Sequence, residues 1–194
     1  MSIACSSKTE KGTSQMHNAL HDHRKVLYVV TCGSSSAPQV YDFISTAQQA
    51  GWDVCSILTP SARKFVDMSR LAQMTKRPVR SEYKRPEEPD LFPRADALVV
   101  LPVTFNTLNK WALGISDTLA VGILCEYTGL HAPIVAIAGV TENSGLDTYP
   151  PFHKSIETLR SYGVHIIHEP QRWGPQNRVP ADVILTTLEH LVFQ

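Results

Sequence analysis

The sequence predicts an α/β fold in three layers, a mainly parallel sheet with helices on both faces. Three observations carry that expectation. Short runs of branched apolar residues, such as Val26–Val30 and Ala97–Leu101, have no polar interruption and read as strands buried on both sides. Between such runs lie stretches with apolar residues at helical spacing. The junctions from strand to helix, Thr31–Ser36, Thr59–Ser61, Pro102–Thr107 and Gly139–Asn143, are rich in Gly, Ser, Thr and Asn, and in a parallel sheet all of them fall at the carboxyl edge.

Val26–Val30 is the first strand. The small-residue turn Thr31-Cys32-Gly33-Ser34-Ser35-Ser36 follows, and Pro38 suits the first turn of a helix whose buried stripe is Val40, Phe43, Ile44 and Ala47. Gly51 is the C-terminal stop of that helix. The unit has the outline of strand, phosphate-binding turn and helix. It lacks both G-x-G-x-x-G and the lysine-bearing Walker pattern, so it supports neither an NAD site nor an ATP-hydrolysing loop. Its N–H groups and hydroxyls suit a monophosphate, although a serine-rich turn is also ordinary loop chemistry. Asp53–Leu58 is the second strand, and Thr59-Pro60-Ser61 turns into a helix carrying Ala62, Phe65 and Val66, with Phe65 expected in the core.

Residues 76–94, KRPVRSEYKRPEEPDLFPR, mix charges of both signs with four prolines and cannot form a regular helix. They are either a surface excursion or a loop that folds over a ligand. Ala97–Leu101 is the central strand, stopping at Pro102, and Thr107 is expected as the N-cap of a helix with Leu108, Trp111, Ala112 and Ile115. Between them Pro102, Val103, Thr104, Phe105 and Asn106 must turn tightly. Thr104, Asn106 and Thr107 then offer neutral hydrogen-bonding groups beside a helix start, where they either hold a ligand or cap their own backbone. Asp117 is expected to cap a second run through Leu119, Ile123, Leu124 and Tyr127, ended by Gly129. Pro133–Ala138 is the next strand and Gly139–Tyr149 a polar loop. The helix Phe152–Tyr162, the strand Val164–Ile167 with His165 and His168 as edge residues, the loop Glu169–Val179 and the helix Ala181–Leu191 complete the chain.

At 194 residues the expectation is a flexible leader over residues 1–24 and a single domain over 25–194. Lys plus Arg equals Asp plus Glu at 18 each, which gives no electrostatic footprint for nucleic acid or an anionic membrane, and no run reaches transmembrane length. Cys5, Cys32, Cys55 and Cys125 show no close-spaced pair, which points to a reduced, cytoplasmic chain. His21-Asp22-His23 lacks further spaced ligands, so no metal is expected there.

Pro102–Thr107, PVTFNT, resembles the PASANT motif of the homo-oligomeric flavin-containing cysteine decarboxylases, and Asn109-Lys110 with Gly114-Ile115-Ser116-Asp117 and Leu119 continues the pattern. Gly33 and Ser34 match that family's opening phosphate turn, and Thr59-Pro60-Ser61-Ala62 with Phe65-Val66 resembles its T-P-x-A-x-x-F-V. The likeness covers roughly Val26–Ile167 and takes in phosphopantothenoylcysteine decarboxylases, peptidyl-cysteine decarboxylases and flavin prenyltransferases. It implies a Rossmann-like, flavodoxin-like fold, FMN as cofactor, a small-molecule or peptidyl substrate, and a homo-oligomer built from trimers. Carried over residue by residue, it implies that Gly33, Ser34, Ser35, Thr59, Ser61, Pro102, Thr104, Phe105, Asn106 and Thr107 bind the cofactor.

The departures from the family bear on chemistry. Its histidine sits seven residues before the alanine matching Ala95, a position held here by Glu88, and no histidine lies between Arg24 and Leu130. Its P-x-M-N-x-x-M-W is half present: Asn143 matches the asparagine and Leu146 the second methionine, while Asp147 replaces the tryptophan. Asn143 and Glu88, with Glu87 beside it, are therefore the candidate catalytic groups, and His153, near that loop, is either a catalytic histidine or, as expected, a surface residue at a helix start. The expectation is an FMN flavoenzyme of altered chemistry, the alternative being a flavin-binding regulator or scaffold without turnover.

Overall fold

A computed structural model describes residues 24–193. The leader, apart from Arg24, and with it His21-Asp22-His23 and Cys5, lies outside the described residues, as does Gln194. Five strands, β1 (Val26–Thr31), β2 (Asp53–Leu58), β3 (Ala97–Val103), β4 (Ile134–Ala138) and β5 (His165–Ile167), form one sheet in the order β2-β1-β3-β4-β5. Every pairing is parallel.

Alternation along the strands builds two cores. Tyr28, Val30, Leu98 and Val100 face Trp111, Leu124 and Phe152, the inward residues of α3 (Phe105–Ala112), α4 (Leu119–Gly129) and α5 (Pro150–Ser161). Leu27, Val29, Val99 and Leu101 face Phe43, Leu71 and Leu188, from α1 (Gln39–Gln49), α2 (Met68–Thr75) and α7 (Ala181–Val192). The sheet is therefore covered on both faces, which is why its strands carry no polar stripe.

Several boundaries differ from the expectation. β3 runs through Pro102 to Val103, because that proline still offers a carbonyl and accepts from the Cys32 N–H at 3.2 Å. The α3 cap is Thr104 rather than Thr107; Thr107 sits in the first turn, buried, its hydroxyl 3.2 Å from that of Thr104. Thr118 rather than Asp117 caps α4, accepting from the Val121 N–H at 3.4 Å. After β2 comes only a 3₁₀ turn, Pro60–Lys64, and α2 starts later under the cap of Asp67, which accepts from the Ser69 and Arg70 N–H groups. That break rotates Phe65 outward, so it is 44% exposed instead of in the core. Within 169–179 the structure adds the short α6 (Pro170–Trp173).

The proline-rich segment is pinned at both ends. Arg77 pairs with Asp53, and Arg80 extends the β2 edge through Leu58 N–H to Arg80 C=O at 2.8 Å and Arg80 N–H to Ser56 C=O at 3.1 Å. At the far end Pro93 accepts from the Tyr28 hydroxyl at 2.7 Å, and the Ala95 N–H donates to the Tyr127 hydroxyl at 3.0 Å. Between these anchors residues 85–91 are exposed.

Candidate functional site

Strand order reverses direction between β1 and β3, and the turns leaving those strands part to opposite faces, which opens a crevice at the carboxyl edge. Backbone hydrogen bonds past the strand ends draw the turns together. Thr59 N–H donates to Thr31 C=O at 3.0 Å, Cys32 N–H to Pro102 C=O, and Gly139 N–H to Val103 C=O at 2.8 Å. All the predicted polar turns thus meet around one cleft of about 630 Å³.

Its lining includes Gly33, Ser34, Thr59, Ser61, Thr104, Phe105, Asn106 and Thr107. Among the described residues the N–H groups of Gly33, Ser34 and Ser35 find no backbone or side-chain acceptor. The buried Thr59 hydroxyl has no partner either. At the start of α3 the N–H groups of Phe105, Asn106 and Thr107 precede the first intrahelical bond, Leu108 N–H to Thr104 C=O at 2.8 Å. Such a wall can take the oxygens of an anion without a cation beside them. Gly33 has to be glycine, since a Cβ there would stand 2.9 Å from the carbonyl carbon and Cβ of Ser61.

Other predicted residues lie elsewhere. Ser35 is exposed on its turn and does not line the cleft. Pro102 is buried behind it, against Gly139, where a Cβ would come within 2.7 Å of the proline Cβ. Glu88 is exposed in the proline-rich segment, its carboxylate accepting from Arg85 N–H at 3.1 Å, and the cleft lining includes neither it nor Glu87. Asn143 is exposed at the rim beside the lining residues Thr141 and Ser144, in a left-handed conformation at φ 60°. Asp147 closes that loop by accepting from Asn143 N–H at 2.7 Å and Gly145 N–H at 3.0 Å. Those N–H groups, Asn143 foremost, hold its carboxyl below the usual range.

Sequence reasoning missed the charge in the cleft. Lys110 and Asp117 line it and pair with each other. The signal was available: Lys110 follows Asn106 by four residues and Thr107 by three, and so shares their helix face. Thr118, Val121, Val140 and Leu146 also line the cleft. Phe105 forms a wall backed by Tyr149 and by the fully buried Phe152, with ring centroids 5.9 and 6.2 Å away.

The other titratable groups stand back from the cleft. Cys32 is buried, and desolvation pushes its thiol up. His153 is exposed at the start of α5. His168 is half-buried against Phe152, with its Nδ1 lacking a partner; burial, then the nearby His153, lowers its pKa. Among the described residues no cluster of His, Cys, Asp and Glu is placed to hold a metal, and no helix is long and apolar enough to cross a membrane.

Residues 14–187 match the family model described as Flavoprotein. The chain is 24% identical over 156 residues to the coenzyme A biosynthesis bifunctional protein CoaBC of Borreliella burgdorferi, which covers 78% of this chain but only 38% of that protein. It is 26% identical over 150 residues to a probable phosphopantothenoylcysteine decarboxylase of Streptococcus mutans, covering 72% of this chain and 79% of the relative. Among solved structures it resembles the FMN-dependent cysteine decarboxylase TvaF from thioviridamide biosynthesis, with a TM-score of 0.68 at 23% identity over 86% of this chain and 99% of that one.

Proposed function

This chain belongs to the Flavoprotein family, and we propose that it holds FMN in the cleft between the β1, β2 and β3 turns. One observation carries the reading: at a single point the cleft combines unpartnered N–H groups, the unpartnered Thr59 hydroxyl and a glycine with no room for a Cβ. Those groups fit the oxygens of a phosphate monoester. Phe105, Val121, Val140 and Leu146 supply apolar surface for a flat ring. Asn106 and Thr107 would hold the polar chain between ring and phosphate. Bound FMN would supply a two-electron acceptor, and the similarity to an FMN-dependent cysteine decarboxylase supports that choice of cofactor.

The reaction we propose is decarboxylase-like but altered. Among the described residues no histidine lines the cleft, and the titratable groups there are Lys110 and Asp117. A positioned acid–base group contributes about 10²–10⁴-fold. Incubation of the FMN-loaded protein with phosphopantothenoylcysteine and with a peptide ending in cysteine, followed by mass spectrometry, should show loss of carbon dioxide slowed by about that factor. Rapid turnover would overturn the reading. The same missing histidine favours a second reading, a flavin-binding regulator or scaffold. Substrate-dependent bleaching of the flavin over a broad thiol panel supports catalysis; no bleaching supports the scaffold.

We further propose a cytoplasmic homo-oligomer built on trimers. The free thiols of Cys32, Cys55 and Cys125 support the compartment. An apolar groove between α3 and α5, with Leu113 73% exposed beside Pro150 and Pro151, supports self-association. Sedimentation of the FMN-loaded protein should show a species no smaller than a trimer at micromolar concentration, and a monomer would contradict it.

A further inference from the structure

We propose that the Lys110–Asp117 pair sets the electron affinity of the flavin, an inference that rests on FMN occupying this cleft. Among the described residues that line the cleft, Lys110 and Asp117 alone carry charge, and each holds the other. The other described lining residues present hydroxyls, an amide, backbone groups or apolar side chains. Lys110 stands one helical turn past Asn106 and Thr107 on their face of α3, and Asp117 directly precedes Thr118, the cap of α4, so the pair joins the two helix starts that border the cleft.

The consequence follows from charge. Taking up two electrons and one proton leaves a flavin ring with one more negative charge than its oxidised form; in a titration, dithionite provides the electrons and solvent the proton. Hydroxyls and amides answer that charge with dipoles, in proportion to their aim. An ammonium in the same wall stabilises it, and a carboxylate opposes it. Lys110 spends one of its N–H donors on Asp117 and keeps two for a ligand. Asp117 both aims the ammonium and cancels most of its field at a distance, so the protein holds the two reduction states in balance. A pair serving only to join α3 to α4 would act on folding and leave the flavin's reduction unchanged.

The test is a spectroscopic redox titration of the FMN-loaded full-length protein and its variants, with the affinity for oxidised FMN measured alongside. Lys110→Met leaves Asp117 unopposed, and reduced FMN should weaken at least tenfold more than oxidised FMN, a fall in midpoint potential of about 30 mV or more. Asp117→Asn leaves Lys110 unopposed and should move the potential up. Lys110→Arg keeps the charge and should stay near the parent, and the double variant Lys110→Met with Asp117→Asn should return towards it. Shifts of the same sign in the two single variants, no shift while FMN remains bound, or loss of FMN from both would overturn the proposal and leave FMN binding by the parent protein intact. Failure of the parent to bind FMN would overturn both.

Discussion

Gly33 and Ser61 approach so closely that a single carbon added to Gly33 would lie 2.9 Å from the Ser61 carbonyl carbon. The obstruction is backbone, so Gly33→Ala must part the first two turns. Overpacking of this kind costs about 1–3 kcal/mol of stability, and the displaced N–H groups should weaken FMN by at least about tenfold, or about 1.4 kcal/mol. Thermal unfolding and fluorescence titration with FMN measure the two effects. Unchanged affinity would remove this turn from the site.

Thr59→Val should separate stability from binding. Its hydroxyl is buried with no partner, so the apoprotein should lose nothing and gain up to about 1 kcal/mol. A hydrogen bond to a charged group is worth about 1.5–3 kcal/mol, and FMN affinity should fall by that order. Urea melts of the apoprotein and FMN titration give the two signs. A variant that is less stable and binds FMN normally would contradict the assignment.

Asn106→Asp places a carboxylate among groups suited to an anionic ligand and should cost on the order of 1–3 kcal/mol of FMN binding. Asn106→Ser, neutral and able to donate, should cost less. Calorimetry on both variants checks the order, and a larger loss for serine would reverse the argument.

Phe152 is fully buried and backs Phe105, so Phe152→Ala should cost about 3–5 kcal/mol in a urea melt. Phe65→Ala, at a side chain 44% exposed, should cost far less. Equal losses would return Phe65 to the core.

Acid should destabilise the fold through His168. Burial, the nearby His153 and Arg160 lower its folded pKa below 6.5, while Asp147 and Glu142 oppose them. The unfolded chain then binds the proton first, so the stability present above about pH 6.5 declines as pH falls towards the depressed value. His165 is shifted the same way by burial. His168→Gln should flatten part of the slope in melts between about pH 7.5 and 5.5. An unchanged slope would mean that His165 or other groups carry it.

The strands and the convergence of turns were legible because both follow from local pattern: unbroken apolar runs become buried parallel strands, and their C-terminal turns share an edge. Phe65 was misplaced because the chain pauses in a 3₁₀ turn and restarts at the Asp67 cap, a choice between short local structures that periodicity does not resolve. The turn 102–107 does not by itself point to Lys110, because the wall continues along the helix face one turn beyond it. Glu88 was favoured by position in the sequence, but the segment is pinned at Arg80 and Pro93 and leaves it in solvent.

The central claim is FMN in this cleft, and the most direct measurement is the absorbance spectrum and mass of the ligand released when the purified protein is denatured. The account predicts a flavin spectrum and the mass of FMN at about one per chain, falling sharply in Gly33→Ala. Colourless protein that neither binds added FMN nor melts higher in its presence would contradict it.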